Sequence, residues 1–151
     1  MLYNINKMGI TDIQNRTCPG DGGGYYDYFF QVATRPLHIY GGGCSAKCND
    51  TWRHHALFYD DEIFEFGPKG YKRRKNYNCD DRNEYTLDNE IKGYSNLSPN
   101  ELESKIKDNG NFNKSDYKMI KHNCQDFVLF CLKILDSDAA KKYTEKYRKD
   151  E

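Results

Sequence analysis

Hydrophobic and polar positions predict a first β-strand in the N-terminal part of the chain. The stretch from Tyr25 to Thr34 (YYDYFFQVAT) is rich in aromatic and β-branched residues, which indicates a strand over residues 27–33. Arg35-Pro36 ends the pattern, because proline cannot donate a backbone hydrogen bond within a sheet. A short second strand is predicted at 37–40, where LHIY follows the proline.

The clearest pattern in the chain is a β-hairpin near its middle. One strand covers 55–59 (HALFY), its partner covers 63–66 (IFEF), and Asp60-Asp61 forms the turn between them. The stretch Gly67-Pro68-Lys69-Gly70 ends the hairpin. The residues that follow are polar and predict loops, apart from a strand near 84–87.

A strong helix start follows this polar region. Ser98 is a good N-cap, Pro99 suits the first helical position, and Glu101 can complete a capping box with the serine. The helix runs to about Lys107 and ends at Asp108-Asn109-Gly110.

The most hydrophobic segment of the chain is a second predicted helix, from Cys124 to Leu135 (CQDFVLFCLKIL). Asn123 can cap it, and Asp126 follows three residues later. Because the segment is apolar almost all round, the helix is expected to be buried on most sides. A last, charged helix is predicted from Ser137 to Arg148.

These elements predict an α+β fold in which an antiparallel sheet packs on the buried 124–135 helix. The chain has 151 residues, which is enough for one domain, and we place that domain at 25–151 after a loosely ordered segment at 1–24. Hydrophobic residues are only 37%, but 13 Tyr and 8 Phe can fill a small core rich in aromatic rings.

Charge and hydropathy limit where the protein is expected to be located and which partners it is expected to bind. Lys plus Arg and Asp plus Glu number 23 each, so no net positive field favours nucleic acid. No run of apolar residues suits a membrane span, and the first residues do not resemble a secretory signal. We therefore expect a cytoplasmic protein, with the nucleus as an alternative. The basic run Lys72-Arg73-Arg74-Lys75 is expected to be a solvated loop rather than a nuclear signal or a patch for an acidic partner.

Cysteine is the most reactive residue type in this sequence, and one of the six cysteines has a distinctive position. Cys124 is predicted in the first turn of a buried helix, where unpaired N–H groups and the helix dipole favour a thiolate. We therefore expect its pKa to lie below the free-thiol value of about 8.5. The alternative is a small buried thiol that only fills the core.

A thiol nucleophile also needs a base, and four histidines are available. They are His38, His54, His55 and His122, of which His122 is close to Cys124 in sequence but need not face the thiol. His54 and His55 open a strand and point to opposite faces of the sheet, so one of them should face the helix.

Two motifs contain these candidate residues. The first is His55-Ala-Leu-Phe-Tyr with the strand that ends at Gly67, and the second is Tyr117 to Phe127, which contains His-Asn-Cys-Gln-Asp-Phe. Together they resemble the permuted papain-like thiol enzymes, in which a histidine on a strand precedes a cysteine at a helix start. The pattern is similar to the PPPDE isopeptidases, with the lecithin–retinol acyltransferase-like and NlpC/P60-like families as relatives. Those isopeptidases tend to have a glycine run where this chain has Gly67-Pro68-Lys69-Gly70.

The resemblance implies a cysteine hydrolase with Cys124 as nucleophile and His55 as its base. The expected substrate is a protein or peptide, including conjugates of a ubiquitin-like modifier, with no cofactor and no metal. A lipid acyltransferase or phospholipase with the same thioester chemistry is one alternative, and a non-catalytic binding module of the same fold is another.

Three choices stay open within this prediction. His54 is the alternative to His55 as the base. Glu65 could orient the imidazole if the hairpin turn has three residues, whereas a two-residue turn places it on the other face. Cys44, Cys48 and Cys79 could bind zinc with His54, but their spacing matches no standard zinc site.

Overall fold

The computed structural model describes residues 27–36, 53–75, 85–118 and 123–148, and these form an α+β fold. Five strands make one antiparallel sheet in the order β4-β3-β2-β1-β5, and helices pack on it. The predicted segment 1–24 and the predicted strand at 37–40 lie outside the described residues. The elements are β1 Tyr28–Pro36, β2 Arg53–Tyr59, β3 Glu62–Gly67, β4 Gly70–Lys75, β5 Thr86–Ser95, α1 Pro99–Asn109, α2 Cys124–Leu135 and α3 Ser137–Tyr147, with a short 3-10 turn at Lys114–Asp116.

The hairpin of β2 and β3 has the predicted two-residue turn. Tyr59 pairs with Glu62 and Leu57 with Phe64, so Asp60 and Asp61 alone connect the strands. Asp60 has a φ of 60°, a left-handed conformation that aspartate adopts more readily than most residues. This turn fixes which hairpin side chains share a face of the sheet.

The prediction of a solvated loop at 72–75 is wrong, because these residues belong to strand β4. The Arg73 guanidinium binds Glu62 at 2.6 and 2.9 Å, and Arg74 binds Glu65 at 2.9 Å, both across the β3–β4 ladder. Strand β4 is therefore stabilised by ion pairs with β3, and a pattern of alternating apolar residues does not reveal such pairs.

Strands β1 and β5 are longer than predicted, and β2 and β3 also extend slightly beyond the predicted 55–59 and 63–66. β1 continues through Arg35 and Pro36, which pair with His54 and Arg53, because a proline is tolerated at the end of a strand. β5 runs for 10 residues rather than the four near 84–87. Its register against β1 shifts between Gln31 and Ala33, and such an irregularity is not visible in the pattern of side chains.

The helix boundaries follow their caps, as predicted. Ser98 forms a capping box with Glu101 at the start of α1, and Gly110, with a φ of 76°, ends that helix. Asn123 and Asp126 form the corresponding box at the start of α2. The start of α2 is thus determined locally, and this places Cys124 at its first helical position.

The sheet has two buried faces. Helix α2 packs on one of them, where its apolar residues share a core with alternating residues of the strands; this core includes Phe30, Val32, Leu57, Tyr59, Phe64, Phe66, Phe127, Val128, Cys131 and Leu132. The other face has a smaller cluster made of Phe29, Ala33, Ala56, Phe58, Ile63, Tyr85 and Leu87. The predicted packing of the sheet on the 124–135 helix is confirmed.

Within the described parts of the chain, the helices are too short or too polar to cross a membrane.

Candidate active site

The start of α2 is held by a network around Asn123 and Asp126. The Asn123 side chain accepts a hydrogen bond from the Gln125 N–H at 2.9 Å, and the Asn123 N–H donates to the Asp126 carboxylate at 2.7 Å. Arg148, directly after α3, donates to the other oxygen of Asp126 at 2.9 Å. The first turn of α2, which carries Cys124, is therefore held by its own capping box and by Arg148.

The Cys124 thiol lies against the backbone of β2. Its Sγ accepts the backbone N–H of His55 at 3.3 Å, and the thiol lies 3.9 Å from the Arg53 carbonyl oxygen, to which it can donate. The residue is 5% exposed. The structure thus brings the Cys124 thiol to the backbone of His55 across a separation of 69 positions.

The His55 imidazole is fully buried among residues of α2 and α3. Its Nδ1 lies 2.8 Å from the Tyr143 hydroxyl, and its Nε2 lies 3.5 Å from the amide nitrogen of Gln125. The rings of Tyr143 and Tyr147 meet the imidazole edge to face, with centroids at 5.7 and 4.8 Å. Nε2 therefore faces the helix that carries the thiol, while Nδ1 faces the last helix.

The expected low pKa of Cys124 is not what this structure gives. Burial raises the pKa of the thiol to about 11, although backbone N–H groups of His55, Cys124 and Gln125 pull it down. The helix start favours an anion as the sequence indicated, but loss of hydration outweighs it. The resting site therefore holds a neutral thiol.

Alkylation of Cys124 should follow this raised pKa. With a pKa of about 11, thiolate makes up about one part in ten thousand at pH 7, so iodoacetamide should react slowly there. The rate should still be rising tenfold per pH unit at pH 9, as measured by mass spectrometry of the Cys124 peptide. A rate that levels off below pH 8.5 would contradict the buried, neutral thiol.

His54 and Glu65 lie together on the opposite face of the sheet from His55. His54 Nε2 is 2.9 Å from Glu65 Oε1, Arg74 Nε is 2.9 Å from Oε2, and the Tyr85 hydroxyl donates to Oε1 at 3.3 Å. Burial opposes ionisation of Glu65, but the bonds from His54 and Arg74 prevail and hold its pKa at about 2. Glu65 is thus ionised at neutral pH, and it bonds to His54 and not to the His55 imidazole.

The described residues contain no candidate metal site. Groups of three or more metal-ligating side chains are not found there, and Cys44, Cys48 and Cys79 lie outside them, as do His38 and His122. Cys124 and Cys131 are both free thiols. Cys131 is fully buried in the main core.

Three residues that contact His55 were not predicted from the sequence. Gln125 follows the cysteine directly, and Tyr143 and Tyr147 are one helical turn apart in α3, which brings both rings to the same histidine. The Tyr147 hydroxyl also donates to the buried carboxylate of Asp88 at 2.6 Å. The spacing of Tyr143 and Tyr147 was the signal for these contacts in the sequence, but the same spacing is equally typical of core packing.

No protein-family model matches this chain, and no curated protein matches it.

Proposed function

We propose that the protein is a cysteine hydrolase that cleaves an amide or isopeptide bond, with Cys124 as nucleophile and His55 as general base and acid. The observation that carries this proposal is the contact of the Cys124 sulfur with His55 across the α2–β2 interface, 3.3 Å from the backbone nitrogen of His55. Nucleophilic thiol catalysis requires a base close to the thiol, and the Cys124 sulfur lies against the backbone of the residue that carries the buried imidazole.

The reaction proceeds in two halves through a thioester. The Cys124 proton passes to His55 as the sulfur bonds to the substrate carbonyl carbon, whose oxygen takes up the negative charge. When the intermediate collapses, the carbon–nitrogen bond breaks and His55 returns the proton to the leaving amine. Water then gives a proton to His55 and attacks the thioester, and the sulfur leaves and is protonated again.

The raised pKa of Cys124 indicates when the proton must move. Because burial keeps the resting thiol neutral, proton transfer to His55 accompanies the attack rather than preceding it. The backbone N–H of Cys124, at the first position of α2, is the donor that we assign to the substrate oxyanion. The adjacent N–H of Gln125 is already bonded to the Asn123 side chain.

The substrate class is proposed as a protein or peptide, with conjugates of a ubiquitin-like modifier as the specific case. This part of the proposal comes from the resemblance of the two motifs to the permuted papain-like enzymes. A lipid ester would form the same kind of thioester, but its acyl group is a fatty chain and its leaving group is an alcohol rather than an amine.

One observation favours a second candidate, a binding module without catalysis. The thiol is engaged by the β2 backbone on both sides, at His55 N and Arg53 O, and burial raises its pKa to about 11. In that case Cys124 would serve to join α2 to the sheet, a common role for a buried free cysteine.

Activity-based labelling at neutral pH separates these candidates. We expect a ubiquitin-like modifier with a C-terminal electrophile to form an adduct on Cys124, located by mass spectrometry of the digested protein. Preferential reaction with an acyl-chain lipid probe would instead favour the lipid class. If neither probe reacts while the protein is folded, the hydrolase proposal is wrong and the binding module stands.

A further inference from the structure

Tyr143 is the closest polar neighbour that the described residues provide for the His55 imidazole. Its hydroxyl lies 2.8 Å from Nδ1, and the tyrosine is fully buried in the main core. Among the described residues, His55 is the only hydrogen-bond partner of this hydroxyl. Because a broken hydrogen bond between two buried groups costs free energy, this contact fixes the distance between Nδ1 and the Tyr143 oxygen.

The contact at the other ring nitrogen favours one direction for this hydrogen bond. The Gln125 amide nitrogen can only donate and lies 3.5 Å from His55 Nε2, which favours an Nε2 without a proton. In a neutral imidazole the proton is then on Nδ1, and the Tyr143 oxygen accepts it. Burial raises the pKa of Tyr143 well above its ordinary value, so the hydroxyl stays neutral throughout.

We propose that Tyr143 is a positioning residue that holds the His55 proton on Nδ1 and so leaves Nε2 to exchange a proton with Cys124. This inference rests on the proposed hydrolase function for its catalytic part, since it names the nitrogen that reacts. The assignment of the tautomer itself does not depend on turnover.

The arrangement supports both states of the histidine. When Nε2 takes the thiol proton, Nδ1–H becomes a charged donor and its bond to the Tyr143 oxygen strengthens. Rotation of the ring is opposed by Tyr147, whose ring packs at 4.8 Å and whose hydroxyl is held by Asp88 at 2.6 Å. Tyr143 therefore sets the tautomer, while Tyr147 restricts the orientation of the ring.

The two tyrosines provide a matched pair of variants. Tyr143→Phe and Tyr147→Phe each remove one hydroxyl and keep the ring that packs on His55, but only the first removes a hydrogen bond to the imidazole. The ¹⁵N chemical shifts of the His55 ring report which nitrogen carries the proton. We expect the Nδ1–H form in the wild type and in Tyr147→Phe, and a mixture of both tautomers in Tyr143→Phe.

Hydrolysis of a ubiquitin-like modifier that carries a fluorogenic amide at its C-terminus gives the second readout. Loss of a hydrogen bond to a charged group predicts a fall in kcat of about 10- to 100-fold for Tyr143→Phe, with KM changed less than about twofold. The fall in Tyr147→Phe should be at least about tenfold smaller.

A wild-type proton on Nε2, or the same tautomer in all three proteins, would overturn the inference. So would equal losses of kcat in the two variants. If the wild type has no turnover, the hydrolase proposal and the catalytic part of the inference fail, and the ¹⁵N spectra decide the assignment of the tautomer.

Discussion

Replacing Cys124 with alanine should remove turnover completely while the fold persists. The substitution deletes only the sulfur, so the α2 caps at Asn123 and Asp126 remain and the free energy of unfolding should fall by about 1 kcal/mol. Without the nucleophile no thioester can form, and activity should drop by about 10⁴-fold or more. Hydrolysis rate and thermal unfolding measured on the same preparation test both statements.

Cys131→Ala is the matched control for this variant. Cys131 lies about two turns further along α2, is also a free thiol, and is fully buried. Its loss should cost a similar amount of stability, about 1 kcal/mol, because a buried sulfur leaves a small cavity in the core. Turnover should persist in Cys131→Ala, and equal inactivation of both variants would mean that the sulfur of Cys124 acts only through packing.

The parts of the fold that could be predicted are those encoded by short-range signals. The Asp60-Asp61 turn, the Ser98 cap and the Asn123 cap each depend on residues within a few positions of one another. The alternation of side chains along β2 then places His54 and His55 on opposite faces of the sheet. For this reason the position of Cys124 against strand β2 could be predicted from the sequence.

The parts that escaped prediction depend on partners that are distant in the chain. Strand β4 is stabilised by charges on β3, and a run of four basic residues gives no sign of the glutamates that it meets. Tyr143 reaches His55 across 88 positions, which no local pattern encodes. The pKa of Cys124 follows from how deeply the finished fold buries it, so a helix start alone predicted the wrong direction.

His54 and His55 are adjacent in sequence, yet the sheet gives them different chemical surroundings. His54 belongs to a saturated ionic cluster with Glu65, in which both carboxylate oxygens are bonded. The contacts of the His55 imidazole described above are the hydroxyl of Tyr143 and the amide of Gln125. The bonds of His54 therefore indicate a structural role, whereas His55 is the histidine against whose backbone the Cys124 thiol lies.

Alanine at these two positions should therefore have different effects, on activity for His55→Ala and on stability for His54→Ala. His55→Ala removes the general base and should lower kcat by about 10²- to 10⁴-fold. His54→Ala leaves the buried Glu65 carboxylate with Arg74 and Tyr85 only, so it should reduce the free energy of unfolding by about 1–3 kcal/mol. Its effect on kcat below the unfolding transition should be less than about threefold.

Rates and denaturant unfolding curves of the two variants, measured at one temperature at which both are folded, provide the test. His55→Gln is the companion to His55→Ala, because it can keep a polar contact with Tyr143 and so limit the loss of stability, yet it cannot accept the thiol proton. It should be as inactive as His55→Ala. If His54→Ala loses activity as severely while remaining folded, the base lies on the Glu65 side of the sheet and the pairing of His55 with Cys124 is wrong.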